Sequence, residues 1–227
     1  MSSEHANHGH VHHGDDPAEV VMDEAFWDER YLSSSTLWSG NPNPQLITEA
    51  AGLAPGTALD VGCGEGADAI WLAEHGWRVT AVDLSSVALE RGASHALEVG
   101  ADVARKITWL HADLTEWAPA SAFYDLVSAQ FMHLPRYQRE VLHRRLAEAV
   151  TPGGTLLVVG HHPSDLQTTV PRPRAPELLF TASDVGGLLA SGEWATLVDE
   201  ARPRTTLDPD GRTTTIHDAV LRAKRMG

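Results

Sequence analysis

A run of glycines and three aspartates are the residues whose types and spacing could hold a polar ligand. The segment Asp60-Val61-Gly62-Cys63-Gly64-Glu65-Gly66 follows a short apolar stretch and precedes a helical pattern. Such a loop lets a ligand approach the backbone, and the free amides of the next helix favour a carboxylate or phosphate. Asp83 lies 23 residues beyond Asp60, at the end of a second apolar stretch. A carboxylate there can accept both hydroxyls of a ribose.

A third acidic position extends this pattern toward a nucleoside. Asp113 follows a third apolar stretch, where it could accept the exocyclic amine of an adenine while Leu114 packs on the ring. Each residue also has a structural interpretation: the glycines could form a tight turn, Asp83 could cap a helix and Asp113 could lie in a surface turn. The order of the three signals along the chain favours ligand binding.

The elements that must position these residues are alternating strands and helices. Apolar runs predict strands at residues 57–61, 78–83, 107–111, 124–129 and 155–159, and helical spacing predicts helices near 44–51, 67–75, 87–99 and 136–150. This alternation predicts an α/β fold with a mainly parallel, doubly wound sheet covered on both faces. The carboxyl ends of the strands then share one edge, where ligands bind in such folds.

The last third of the chain departs from this alternation. Four prolines between Pro163 and Pro176 predict an excursion over the sheet. Thr181 and Asp184 have capping-box spacing, which predicts a short helix starting near Ser183. Residues 194–198 and 213–221 then predict an antiparallel strand pair that closes the sheet.

Composition restricts the classes of partner. The 227 residues carry a formal net charge of −14, which argues against nucleic acid or an anionic lipid surface as the main partner. Cys63 is the single cysteine, so no internal disulfide is possible. No run approaches the roughly 18 apolar residues of a membrane span, and the N-terminus is not typical of a signal peptide. We therefore expect a cytoplasmic protein.

Residues 1–16 are polar and contain five histidines. Such tracts can bind divalent Ni, Cu or Zn, but a segment with so few apolar residues is expected to be a disordered tail. The remaining residues 17–227 predict one domain. It comprises a helical arm at 17–56, a ligand-binding core at 57–160 and a substrate-side excursion with the closing strands at 161–227.

The motifs from Asp60 to Asp113 resemble those of class I S-adenosylmethionine-dependent methyltransferases, from about Phe26 to the C-terminal strand pair. The resemblance implies a Rossmann-like sheet of seven strands with the last one antiparallel. It also implies that S-adenosylmethionine is the cofactor. The expected cofactor-binding set comprises Asp60, Gly62, Cys63 and Gly64 near the methionine part, Asp83 and Leu84 near the ribose, Asp113 and Leu114 near the adenine, and Gln130 near the sulfonium.

The arm also resembles the N-terminal lid of small-molecule methyltransferases of the thiopurine and tellurite-resistance type. Trp27, Tyr31 and Trp38 are the aromatic residues that would cover the cofactor, because a sulfonium is attracted to aromatic faces as other cations are. The alternative is that these rings pack the arm onto the sheet.

Histidines after the strands are candidates for proton transfer, since histidine titrates near neutral pH. His133 and His162 are the expected catalytic residues, and His161 shares the position of His162 after the fifth strand. A small thiol, or a selenium or tellurium species, is the expected methyl acceptor, attacked in line with little acid–base help. Cys63 has no basic neighbour in the sequence that would make it a nucleophile.

Two other functions fit parts of the sequence. Gly62, Gly64 and Ala67 also satisfy the spacing of nicotinamide-dependent oxidoreductases. The histidine tract could instead belong to a metal-handling or adaptor protein that retains the fold. Asp60 directly before the glycines and the second acidic motif at Asp113 argue against the oxidoreductase.

Overall fold

The computed structural model describes residues 22–34, 39–132, 134–172 and 176–227. The N-terminal half contains α1 (Glu24–Leu32), α2 (Pro44–Ala50), β1 (Thr57–Val61), α3 (Ala67–Glu74), β2 (Arg78–Asp83), α4 (Ser86–Val99), α5 (Ala101–Ala104) and β3 (Ile107–His111). The C-terminal half contains β4 (Tyr124–Gln130), α6 (Arg136–Ala149), β5 (Val150–His161), 3-10 turns at Pro163–Gln167 and Pro176–Leu178, α7 (Ala182–Gly186), β6 (Trp194–Leu207) and β7 (Thr213–Arg225). The histidine tract at 1–16 lies outside the described residues.

Within the described residues, seven strands form one sheet in the order β3-β2-β1-β4-β5-β7-β6. The first five strands pair in parallel, and β7 is antiparallel to both β5 and β6. The predicted α/β class and the antiparallel last strand are thereby confirmed. The order reverses between β1 and β4, so the glycine loop after β1 lies at the point where a doubly wound sheet binds ligands.

Two apolar cores cover the faces of the sheet. Successive side chains of a strand point to opposite faces, so Leu156 and Val158 of β5 join one core while Leu157 and Val159 join the other. Helix α6 covers the first face and α3 the second. Burial on both faces explains why β1, β4 and β5 read as nearly continuous apolar runs rather than as alternating ones.

The closing hairpin is longer than the sequence pattern predicts. Strand β6 continues through Arg202, Pro203 and Arg204 to Leu207, and it pairs with β7 along this whole length. Charged residues and a proline conceal a strand from pattern analysis, but β6 lies at the sheet edge, where a proline removes no essential hydrogen bond. The short helix predicted near Ser183 is present as α7, with the Thr181 and Asp184 side chains completing its capping box.

The glycine loop packs against α4 through one indole ring. A Cβ added at Gly66 would lie 2.3 Å from the Trp109 ring, and one added at Gly92 of α4 would lie 2.6 Å from the same ring. Trp109 therefore fills the space between loop and helix, and only glycine allows this close approach on either side.

We expect Gly92→Ala to lower the free energy of unfolding by about 1–3 kcal/mol, because overpacking against Trp109 outweighs the gain of about 1 kcal/mol in helix propensity. Gly52→Ala is the control, since a Cβ at Gly52 meets no atom within 4 Å. Urea unfolding followed by circular dichroism measures both variants. Equal stability of the two would contradict the packing described for Trp109.

Candidate functional site

The loop after β1 exposes its backbone toward the carboxyl edge of the sheet. Gly62 and Gly64 have φ angles of 68° and 52°, which only glycine adopts without strain. A Cβ at Gly62 would lie 2.2 Å from the Met132 sulfur. The loop thus forms a narrow cradle between the ends of β1 and β4, and any side chain at Gly62 would fill it.

Asp83 fastens this loop to the end of β2. One carboxylate oxygen accepts a hydrogen bond from the Gly64 amide at 2.8 Å, and the other accepts from the Ser85 amide at 2.9 Å. Ser85, not Asp83, caps α4 by accepting from the Ala88 amide. Burial raises the pKa of Asp83, while the amide hydrogen bonds oppose that rise.

Asp60 is the most buried acid of the loop, with 2% of its surface exposed. Burial raises the pKa of Asp60 well above its ordinary value, and the nearby charges of Asp68 and Asp83 raise it further. Its Oδ2 atom has no hydrogen-bond partner among the described residues. A buried acceptor without a donor is costly, so a ligand that brings a positively charged donor would satisfy it.

Asp68 is an acidic neighbour that the sequence motifs do not reveal. It lies in the first turn of α3, where its Oδ1 accepts from the Asn43 amide at 2.6 Å. Burial raises the pKa of Asp68 to about 6 even though this hydrogen bond lowers it. Asn43 begins α2, so the contact also fixes the arm to the glycine loop.

The adenine-side residues occupy the end of β3. Leu114 is buried, whereas Asp113 is exposed and its Oδ1 accepts from both the amide and the hydroxyl of Thr115 at 2.8 Å. This is the turn that the sequence allowed as an alternative for Asp113, and both residues nevertheless line the same cavity as Asp83. Neither of these two hydrogen bonds involves the second carboxylate oxygen of Asp113.

Strand β4 ends at a strained residue beside the loop. Phe131 has a φ of 51°, in the left-handed region that bulky residues rarely adopt. Immediately before it, Gln130 is buried and donates to the Ser128 hydroxyl at 3.0 Å, while its Oε1 has no partner among the described residues. The turn thus places a polar and an apolar side chain together at the centre of the carboxyl edge.

Helix α1 of the arm lies over the adjacent strand ends. The Asp28 carboxylate accepts from the Ser85 hydroxyl at 2.5 Å, and Glu24 pairs with His111 at 3.0 Å. The helix thereby brings Trp27 and Tyr31 to the cavity, with Tyr31 only 3% exposed. The two rings therefore line the cavity and also pack the arm onto the sheet, so the two interpretations of the sequence do not exclude each other. Trp38 lies outside the described residues.

These elements enclose a cavity of about 1670 Å³. The predicted residues that line it are Trp27, Tyr31, Asp60, Gly62, Cys63, Gly64, Asp83, Leu84, Asp113, Leu114 and Gln130. The sequence did not single out Asp68, Met132, Arg204 or Asp218, which also line it. No motif marks these four, because their positions depend on how the arm and the closing hairpin fold against the core.

The predicted catalytic histidines have separate outcomes. His133 lies outside the described residues. His162 is not part of the described cavity lining; its Nδ1 lies 2.9 Å from the Ser164 hydroxyl and caps the 3-10 turn. Its neighbour His161 lines the cavity instead, with its ring 4.8 Å from that of Phe131. The catalytic role of His162 stays a prediction that this placement does not favour.

Cys63 lies within the loop, and burial together with the charges of Asp60 and Asp83 raises the pKa of its thiol well above the ordinary value. A protonated thiol is a weak nucleophile, which agrees with a backbone role. Among the described residues, no group of three or more His, Cys, Asp or Glu could hold a metal ion. The helices of the described ranges include none long and apolar enough to cross a membrane.

Comparison with known proteins shows which family the residues of this site resemble. Residues 58–154, which contain the glycine loop, Asp83 and Asp113, match the family model described as a methyltransferase domain. This segment is therefore similar to methyltransferase domains. An uncharacterized methyltransferase of Mycobacterium tuberculosis is 37% identical over 124 residues, which cover 54% of this chain and 59% of the relative. The chain thus spans somewhat more than half the length of that relative.

One further protein is similar in sequence, and one solved structure is similar in fold. A probable thiol methyltransferase 2 of Arabidopsis thaliana is 28% identical over 138 residues, covering 59% of this chain and 60% of the relative. The crystal structure of TehB from Haemophilus influenzae has a TM-score of 0.65 at 20% identity and covers 89% of this chain and 66% of TehB. At that identity, the structural match of the methyltransferase domain and its flanking elements shows the fold alone.

The raised pKa of Asp68 predicts that the free energy of unfolding depends on pH. The folded protein keeps a proton on Asp68 up to about pH 6, whereas an unfolded aspartate loses it near pH 4. Between these values the folded state binds more protons, so this group lowers the free energy of unfolding as the pH rises. We expect Asp68→Asn to be more stabilising at pH 8 than at pH 4, by about 1–3 kcal/mol.

Urea unfolding at the two pH values measures this difference. Asp102→Asn is the matched control, because the Asp102 side chain is 86% exposed. If Asp68→Asn changes the free energy of unfolding equally at both pH values, Asp68 ionises normally in the folded protein.

Proposed function

We propose that this chain is an S-adenosylmethionine-dependent methyltransferase that acts on a small-molecule acceptor. The observation that carries the proposal is the buried Asp60 Oδ2, which has no hydrogen-bond partner among the described residues and lies beside the open glycine loop. The methyltransferase domain match supports the reaction class.

The residues present fit this cofactor. Asp60 would accept from the cationic amino group of the methionine part, because its buried Oδ2 has no hydrogen-bond partner among the described residues. Asp83 would accept the ribose hydroxyls, and Leu114 would pack on the adenine. The loop at Gly62, Cys63 and Gly64 lines the cavity and would lie beside the methionine chain.

When bound, the cofactor supplies an electrophilic methyl group on a positively charged sulfur. The protein's contribution is alignment and exclusion of water, since the displacement releases an uncharged thioether. The aromatic rings of Trp27 and Tyr31 on α1 close the cavity from above the strand ends. Their faces attract a sulfonium more strongly than the neutral product.

For the acceptor, we propose a thiol or a selenium or tellurium species. The name of the Arabidopsis relative supports the thiol.

The first test is calorimetric titration of S-adenosylhomocysteine into the purified chain, with NADH as the control ligand. We expect micromolar binding of S-adenosylhomocysteine alone, because the acidic loop disfavours the additional phosphates of a dinucleotide. Binding of NADH without S-adenosylhomocysteine would favour the oxidoreductase and contradict the proposal.

Asp83→Ala should weaken S-adenosylhomocysteine binding by about 1–3 kcal/mol, because it removes a charged acceptor of two ribose hydroxyls and also releases the Gly64 amide. Asp102→Ala should leave the affinity unchanged, as that carboxylate lies on an exposed helix face. The same titration measures both variants, and an unchanged affinity of Asp83→Ala would remove Asp83 from the ribose site.

A further inference from the structure

The cavity has a strongly unequal distribution of charge. Its described lining includes nine acidic residues, which are Asp23, Asp60, Glu65, Asp68, Glu74, Asp83, Glu98, Asp113 and Asp218. The described lysines and arginines contribute a single member to this lining, Arg204. Glu65 pairs with Arg91 and Asp218 with Arg204, and burial raises the pKa of Asp60. The remaining surplus of acidic side chains attracts a cation and repels an anion, more strongly than in water because the site is partly desolvated.

Arg204 is already paired. Its Nε donates to both oxygens of Asp218, at 2.9 and 3.1 Å, and Asp218 also accepts from the Gln45 amide at 3.2 Å. Asp218 is 2% exposed, so its charge is held in the wall by the protein. An anionic acceptor that approached Arg204 would have to compete with this buried carboxylate.

The part of the lining beyond the glycine loop is apolar. Phe131, Met132, Leu134 and Pro135 follow β4, and the His161 ring at the end of β5 tilts against Phe131. His161 and Asp218 are register partners on β5 and β7. This wall therefore combines an apolar surface with an imidazole and a neutralised ion pair.

Building on the proposed function, we propose that the methyl acceptor binds uncharged, as an apolar thiol held against Phe131 and Met132, and that oxyanions such as tellurite are excluded. The acceptor sulfur forms the bond to the methyl carbon. The bond from that carbon to the sulfonium sulfur breaks, and its electron pair stays on the departing thioether. The acceptor proton passes to the imidazole of His161.

The proton transfer depends on the groups around His161. The described charged and titratable groups near it include Asp218, its register partner on β7, Arg204, which is bonded to Asp218, and His162, next in the chain. Because simple alkyl thiols are weaker acids than the cysteine thiol, whose pKa is about 8.5, the acceptor arrives protonated at pH 7 and needs this base.

The experiment compares phenylmethanethiol, 4-(sulfanylmethyl)benzoate and tellurite as acceptors at pH 7, by chromatographic measurement of the S-adenosylhomocysteine that the full chain forms. We expect kcat/KM for the uncharged thiol to exceed that for its carboxylate analogue by about tenfold or more, with no turnover of tellurite. Equal or better turnover of either anion would overturn the inference.

Asp218→Asn tests the charge argument within one preparation. It leaves Arg204 without its carboxylate, so the ratio of kcat/KM for the two thiols should shift toward the benzoate. This ratio does not depend on the folded fraction of the variant. An unchanged ratio would show that the ion pair has no part in selecting the acceptor.

His161→Gln tests the proton acceptor. We expect kcat for phenylmethanethiol to fall by about a hundredfold at pH 7 and to recover as the pH rises toward the pKa of the thiol. Affinity for S-adenosylhomocysteine should not change. A kcat equal to that of the wild type, or a loss that high pH does not relieve, would remove His161 from proton transfer.

The two proposals fail in different ways. A chain that does not bind S-adenosylhomocysteine contradicts the proposed function itself. A chain that binds it but methylates no uncharged thiol overturns only the inference about the acceptor.

Discussion

The structure depends on keeping three carboxylates close together at the end of β1. Burial raises the pKa of all three carboxyls, and the charges of Asp68 and Asp83 raise the pKa of Asp60 further, so their ionised forms are disfavoured. The protein offsets this cost with backbone amides: those of Gly64 and Ser85 bind Asp83, and that of Asn43 binds Asp68. Only Asp60 keeps an oxygen without a donor among the described residues. A bound cation would lower the electrostatic free energy of these buried carboxylates, and this gain would contribute to the binding free energy.

The amides that support these carboxylates come from different elements, so the acidic cluster also organises the fold around it. Asn43 belongs to the start of α2, and Ser85 both supports Asp83 through its amide and donates from its hydroxyl to Asp28 of α1. The arm is consequently attached to the loop by hydrogen bonds, although the charge of Asp28 raises the pKa of Asp83 further. These polar contacts position α1 together with apolar packing, because α1 buries little besides Tyr31.

The positions of the acidic residues at the strand ends could be predicted from the sequence because they belong to local units. Each of Asp60, Asp83 and Asp113 follows a strand whose apolar run is unmistakable, and parallel strands bring their ends to one edge. The sequence could not predict Asp68, whose carboxylate resembles any first-turn acid of a helix, nor the length of β6, whose Pro203 and flanking arginines are typical of a loop. His161 and His162 were equivalent by pattern, and only the 3-10 turn that uses His162 as its cap separates them.

The acceptor side depends instead on contacts between distant parts of the chain. Gln45 of α2 reaches Asp218 across 173 positions and Arg202 across 157, and Glu49 pairs with Arg202 and Arg222 of the same hairpin. These ion pairs are absent from the 58–154 segment that carries the methyltransferase match. Substitutions in α2 and the hairpin can therefore change the wall facing the acceptor while the loop, Asp60 and Asp83 stay in place. This physical separation is why we propose the Arg204–Asp218 pair, and not the glycine loop, as the determinant of the charge of the acceptor.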